Sequence, residues 1–279
     1  RPHLAANPGT DLCERFVRML CGPDLSKTKI PIALVTGSIG KTTTTRVLSH
    51  LFLSTHDRVA LASSTGMELD GRGIWEGDSS GGGLARHLLT DKRVEALVVE
   101  IARGGLFKFG LGLDCADGAI VTCIDDNHVG FDGITTREQM ARVKGVVAQV
   151  ASRIVVLNAD DPLVLAMAHG RDPQTIALVG CDPGAAALQR HRQVGGLVAL
   201  FDTSPDGWIR LFRGDVLLMQ ICLSEIPASQ GGAVMALAPA SAFALALAVG
   251  LGQDPQQLGL QLRSFGLDLI HNAGRFERL

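Results

Sequence analysis

Short apolar runs recur along the chain at 30–35, 58–63, 96–102, 118–124, 153–159 and 175–180. Each is a continuous block of Val, Ile, Leu and Ala rather than an alternation, the pattern of a strand covered on both faces. Between the blocks lie 84–91, 136–151 and 161–170, where apolar residues return at helical spacing. Strands alternating with helices predict an α/β fold of three layers around a mostly parallel sheet. From about 195 the texture changes: "GLVALFD", "GWIRLFR" and "VLLMQICL" are separated by Gly and Asp turns, which predicts a small antiparallel sheet over about 195–230. Two last helices are expected at about 240–251 and 254–265. Residues 1–30 are expected to form a lead-in helix and linker, and 31–279 one domain.

Composition narrows the partners. Lys and Arg number 26 against 28 Asp and Glu, so no basic face for nucleic acid is expected and small molecules are the natural ligands. The most apolar stretch, 231–252, is made mostly of small residues and interrupted by Pro239, which predicts a buried helix rather than a membrane span. The six cysteines, at 13, 21, 115, 123, 181 and 222, contain no CxxC; neither a disulfide framework nor a zinc site is indicated, and a cytoplasmic setting fits. With no leader and Arg1 in first place, the chain reads as an excerpt of something longer.

The sharpest motif is "VTGSIGKTTTTR" (35–46), a strand, a glycine turn and a threonine-rich helix start. A helix beginning there aims unpaired amides and its positive dipole end at the loop, and phosphate is the guest this suits. Gly37, Ser38, Gly40, Lys41, Thr42 and Thr43 form the expected cradle, with Lys41 on the outer phosphates and the Thr42 hydroxyl on the magnesium that accompanies ATP. The spacing is GxxGKT, shorter than the usual P-loop, because Val35 stands five places before Gly40. "GLGLD" (110–114) is too short, and lacks the acidic partner, for a dinucleotide fingerprint. Arg103 in "ARGG" is suited to gripping a substrate carboxylate or to serving as a structural clamp. "NADDP" makes a turn and helix start by itself. Lys144, on an amphipathic helix, would by default snorkel to the surface.

The motifs "VTGSIGKTTTTR", "GDSSGGGLARHLLTDKRVEALVVEIARGGL", "LGLDCADGAIVTCIDDNHVG", "LNADDPLV" and "GRF" stand in one order over nearly the whole chain. On them the sequence resembles the ATP-dependent Mur ligase family, and within it the Mur-ligase-like module of the cyanophycin synthetases. The resemblance implies a Mur-type central ATP-binding domain that phosphorylates a carboxylate with ATP and lets an amine attack the acyl phosphate. The implied substrates are an amino acid such as arginine and a peptide-like, aspartate-containing acceptor, with ATP and Mg2+. It also implies Glu100 and His128 as metal ligands beside Thr42, Lys144 as a lysine carbamylated in several members, and Arg275 as a contact to the outer phosphate.

The sequence departs from the family pattern at several asparagines. Ile39 stands where the loop usually has Asn, Cys123 where the strand before the histidine ends in Asn, and Asn127 where Asp precedes the histidine. Ala236 and Pro239 fall where a late-helix asparagine pair, one of which reads adenine, is expected. The family's third, lid-forming domain would begin after "GRF" and is not within these 279 residues. Weak, base-indifferent ATP binding is therefore expected. The alternative to a working ligase is a degenerate scaffold that supports a homo-oligomer; a P-loop kinase is disfavoured because the residues after the loop keep the ligase order.

Overall fold

In the computed structural model, which describes residues 30–126, 129–130, 133–204, 206–229 and 234–266, the strands form one eleven-stranded sheet. They are β1 (Ile32–Thr36), β2 (Val59–Ser63), β3 (Gly66–Leu69), β4 (Arg72–Glu76), β5 (Ala96–Glu100), β6 (Ala116–Val121), β7 (Ala151–Asn158), β8 (Ile176–Gly180), β9 (Leu197–Phe201), β10 (Trp208–Arg213) and β11 (Val216–Cys222). The helices used below are α1 (Lys41–Phe52), α2 (Gly82–Leu88), α3 (Arg103–Phe109), α4 (Arg137–Gln149), α5 (Pro162–Leu165), α6 (Ala186–Gln193), α7 (Val234–Gly250) and α8 (Pro255–Leu262).

The sheet order is β11-β10-β9-β8-β7-β6-β1-β5-β2-β3-β4. Every neighbour from β9 across to β2 is parallel, and the two edges are antiparallel. The antiparallel strands expected after 195 are present, but they extend the same sheet: β9 pairs parallel with β8, and only then do β10 and β11 turn back. At the other edge β3 and β4 form a hairpin that the apolar pattern does not signal, because β4 is exposed at every position.

Alternate residues of each strand feed opposite cores. Ala33 and Val35 of β1 join Val47, Leu48 and Leu51 of α1 and the inner face of α7. Leu34 points the other way, into a core with Ala85 and Leu88 of α2 and Leu106 of α3. Helix α7 is the buried apolar stretch expected from the sequence, and it packs against α1 and the strands beneath. Its Pro239 removes one helical N–H, and the carbonyl left without that bond belongs to Met235, on the exposed first turns where water can serve it. Among the described residues no helix is long and apolar enough to cross a membrane.

Strand β1 sits between β5 and β6: the chain leaves β1 for β2 on one side, returns to β5, and then passes across β1 to β6 on the other. Such a reversal opens a crevice at the strands' carboxyl ends, where ligands of open parallel sheets bind. The expected lead-in segment 1–30 lies outside the described residues except for Ile30.

Candidate active site

The turn from β1 into α1 fills that crevice. Gly37 has φ 142°, and a Cβ there would collide with Thr122 Oγ1, so glycine is required twice over. The wall behind the loop is the segment after β6: the Ser38 amide donates to the Cys123 carbonyl at 2.9 Å, and Thr122 Oγ1 donates to the Ile39 carbonyl at 2.6 Å. Gly40, left-handed at φ 84°, occupies the N-cap of α1 with no side-chain cap, so the helix presents its first amides to the loop's concave side. Thr43 follows, buried in the first turn.

The segment after β6 is itself anchored by "LNADDP". Asp161 Oδ2 accepts the Ile124 amide at 2.6 Å, and its Oδ1 caps α5 through the amides of Leu163 and Val164. Asn158 donates to the Thr122 carbonyl at 2.7 Å. The motif is thus the turn and helix start expected, and it also steadies the back of the phosphate loop.

Three charged groups converge on the loop. Lys41 folds back to donate to the Ser38 carbonyl at 3.0 Å. Lys144, on α4, is not a surface lysine: it is 1 % exposed, and its Nζ donates to Ser38 Oγ at 3.0 Å. Burial, and then the positive charge of Lys41, lower its pKa to about 8. Ser38 Oγ also accepts the Asp125 amide at 3.1 Å; with both acceptor positions used, its own proton is left to point elsewhere. Glu100, 2 % exposed at the end of β5, accepts three bonds on one oxygen, Oε2: from Thr42 Oγ1 at 2.9 Å, the Ser64 amide at 3.1 Å and Ser64 Oγ at 3.3 Å.

Among the described residues nothing donates to the other oxygen of Glu100. An uncommitted carboxylate oxygen beside a threonine hydroxyl is a hard-oxygen donor set that suits magnesium. Ser64 is the partner the sequence does not reveal, because no local pattern ties the loop after β2 to a strand end far along the chain. His128 and Arg275 lie outside the described residues.

A cleft of about 800 Å³ runs from the loop past the start of α3. Gly37, Lys41 and Lys144 line it together with Asp78, Arg86 and Arg103. Arg103 is half-buried and lines the cleft. Asp78 and Arg86 were not singled out by sequence; the glycine run 81–83 between them is the signal that could have found them. Two of the departures from the family pattern meet here, since the Ile39 amide donates to Cys123 Sγ at 3.4 Å.

A glycine turn between the central parallel strand and its helix, with a carboxylate fixed on the loop threonine, is the arrangement found in mononucleotide-binding α/β folds. The profile of the Mur ligase middle domain matches residues 35–206, and the chain belongs to the Mur ligase family. It is 35% identical to the cyanophycin synthetase of Crocosphaera subtropica over 280 residues, which cover 99% of this chain and 31% of that protein. The chain thus spans about a third of the length of the curated relatives it matches. Among solved structures, a UDP-N-acetylmuramoyl-L-alanyl-D-glutamate–2,6-diaminopimelate ligase superposes with a TM-score of 0.63 at 20% identity, covering 90% of this chain and 48% of that one. A bifunctional folylpolyglutamate synthase/dihydrofolate synthase with Mn, AMPPNP and L-glutamate bound superposes at 0.52 and 20% identity, covering 99% and 66%.

Proposed function

We propose that this chain is an ATP-dependent amide ligase module that joins an amino acid such as arginine to an aspartate-containing, peptide-like acceptor. In the reaction an acceptor carboxylate oxygen attacks the γ-phosphorus of ATP and ADP leaves. The amine then attacks the acyl carbon, the amide forms, and inorganic phosphate and a proton are released. The observation that carries the reading is the Thr42–Glu100 hydrogen bond at 2.9 Å, which places a hydroxyl and a carboxylate together at the phosphate loop.

The chain's own groups divide the work. The first amides of α1, with the Lys41 ammonium, cradle the phosphates. Thr42 and Glu100 would hold a divalent cation, with His128 joining them on sequence grounds; such a cation supplies charge neutralisation on the transferring phosphoryl group. Arg103 binds the acceptor's carboxylate, and Arg275 the outer phosphate. Lys144 is also proposed to be carbamylated, since carbon dioxide combines with a neutral amine and a pKa of about 8 leaves much of this one neutral under mildly alkaline conditions. Carbon-labelled bicarbonate would then give a carbamate NMR signal in the wild type that is absent from Lys144→Met.

The test is arginine-dependent phosphate release by the intact protein with ATP, magnesium and an aspartate peptide. Glu100→Gln and Thr42→Ala are each expected to lower kcat by about 100-fold or more, on the scale of losing one preorganised electrostatic group. Wild-type rates in Glu100→Gln would remove the assignment.

A further inference from the structure

Two glycine pairs meet beside the cleft: Gly82-Gly83 opens α2, and Gly104-Gly105 lies at the start of α3. In each pair one member is fixed by packing. A Cβ on Gly82 would collide with the Leu111 carbonyl oxygen, and one on Gly105 would lie 2.6 Å from the Ser80 carbonyl oxygen. These approaches lock the 78–83 loop against the segment that includes α3.

The other two have no such reason. Neither Gly83 nor Gly104 has a positive φ, and a Cβ on either would meet nothing within 4 Å. Each is the second residue of its helix, where the backbone is already helical and accepts alanine. Conformation and packing would therefore both accept alanine, yet both positions are bare, and both line the cleft beside Arg86 and Arg103.

We propose that Gly83 and Gly104 are specificity-determining residues: they keep the two helix starts bare so that an extended, carboxylate-bearing acceptor chain can lie directly on them, with its acid groups reaching Arg86 and Arg103. The inference rests on the ligase reading and adds to it the residues that select the acceptor. The nucleotide is assigned to the turn between β1 and α1, whose amides and Lys41 take its phosphates. The incoming cationic amine is not the occupant, since two arginines repel it, whereas guanidinium groups pair bidentately with carboxylates. Asp78 lines the same cleft, with Oδ1 turned to the amide and hydroxyl of Ser80, and against it stand Lys41, Lys144, Arg86 and Arg103, so the described lining is positive on balance and favours an anionic ligand.

The test compares the intact wild-type protein with Gly83→Ala and Gly104→Ala. Calorimetric titration with a short poly-L-aspartate peptide, without nucleotide, reads acceptor binding at this cleft as the difference between wild type and variant. Titration with a non-hydrolysable ATP analogue and thermal melting are run on the same samples. Each variant is expected to melt at the wild-type temperature or above, bind the analogue unchanged, and bind the peptide at least tenfold more weakly. Equal peptide affinity in variants and wild type would overturn the proposal, and so would no peptide binding by the wild type. A lowered melting temperature would reveal a packing role and overturn it equally. Arginine-dependent phosphate release by the wild type, measured alongside, judges the ligase reading separately: release with equal affinities removes only the glycine assignment.

Discussion

At Lys144, burial beside Lys41 brings the ammonium pKa from 10.5 down to about 8. Between those values the unfolded chain holds the proton that the folded chain has lost, so stability rises with pH across the window from about 8 to 10.5. Below it both states are protonated and the folded state carries the full penalty of the buried charge. A shift of this size corresponds to about 3 kcal/mol. With bicarbonate excluded, urea denaturation should show wild-type stability climbing by up to that amount between pH 8 and 10.5. The chain has no tyrosine to add its own titration, and Lys144→Met should lose this component of the rise and be the more stable protein at pH 7. A wild type and variant with parallel pH profiles would contradict the burial argument. Gly37 makes a second prediction: φ 142° and the Thr122 hydroxyl leave no room for a Cβ, so Gly37→Ala should weaken nucleotide binding at least tenfold, about 1.4 kcal/mol, in a calorimetric titration.

Among the elements, α7 carries much of the core, and Leu247 within it is fully buried against the sheet. Leu247→Ala should cost about 2–5 kcal/mol, read as a lower urea midpoint with an unchanged slope. Such elements were legible in the sequence for a physical reason: strands β1, β2, β5, β6, β7 and β8 are buried on both faces and so appear as unbroken apolar runs, and α7 is nearly buried all round. The β3–β4 hairpin was not legible, because β4 is exposed throughout and has no buried face to write a period into the sequence. The pairing of β9 with β8 was likewise hidden, since periodicity reports burial and not which strand lies alongside. Helix α5 ends at Leu165 and tightens into a 3₁₀ turn over Ala166–Ala168, where the apolar spacing had suggested a longer helix. In the site, the loop residues were legible from Gly37 to Thr43 because the motif is local. Ser64, Asp78 and Arg86 were not, because they reach the site from separate loops through the fold. The burial of Lys144 was hidden too, since a helical period cannot say that a lysine faces inward under another element.

For the molecule as a whole, the central claim is that one cleft at the carboxyl ends of β1, β5 and β6 binds a nucleotide through its phosphates. Where the family resemblance expects base-reading asparagines, Ala236 is exposed on the first turns of α7 and Pro239 is half-buried within it, and neither side chain can donate or accept a hydrogen bond. A site without polar contacts to the base discriminates weakly between bases. The most direct measurement is calorimetric titration of the intact protein and its Lys41→Met variant with non-hydrolysable ATP and GTP analogues in the presence of magnesium. The account predicts binding that is lost in Lys41→Met, with the lost component holding ATP and GTP analogues within about tenfold of each other. Binding indifferent to Lys41, or a Lys41-dependent preference for the ATP analogue of more than about 100-fold, would contradict it.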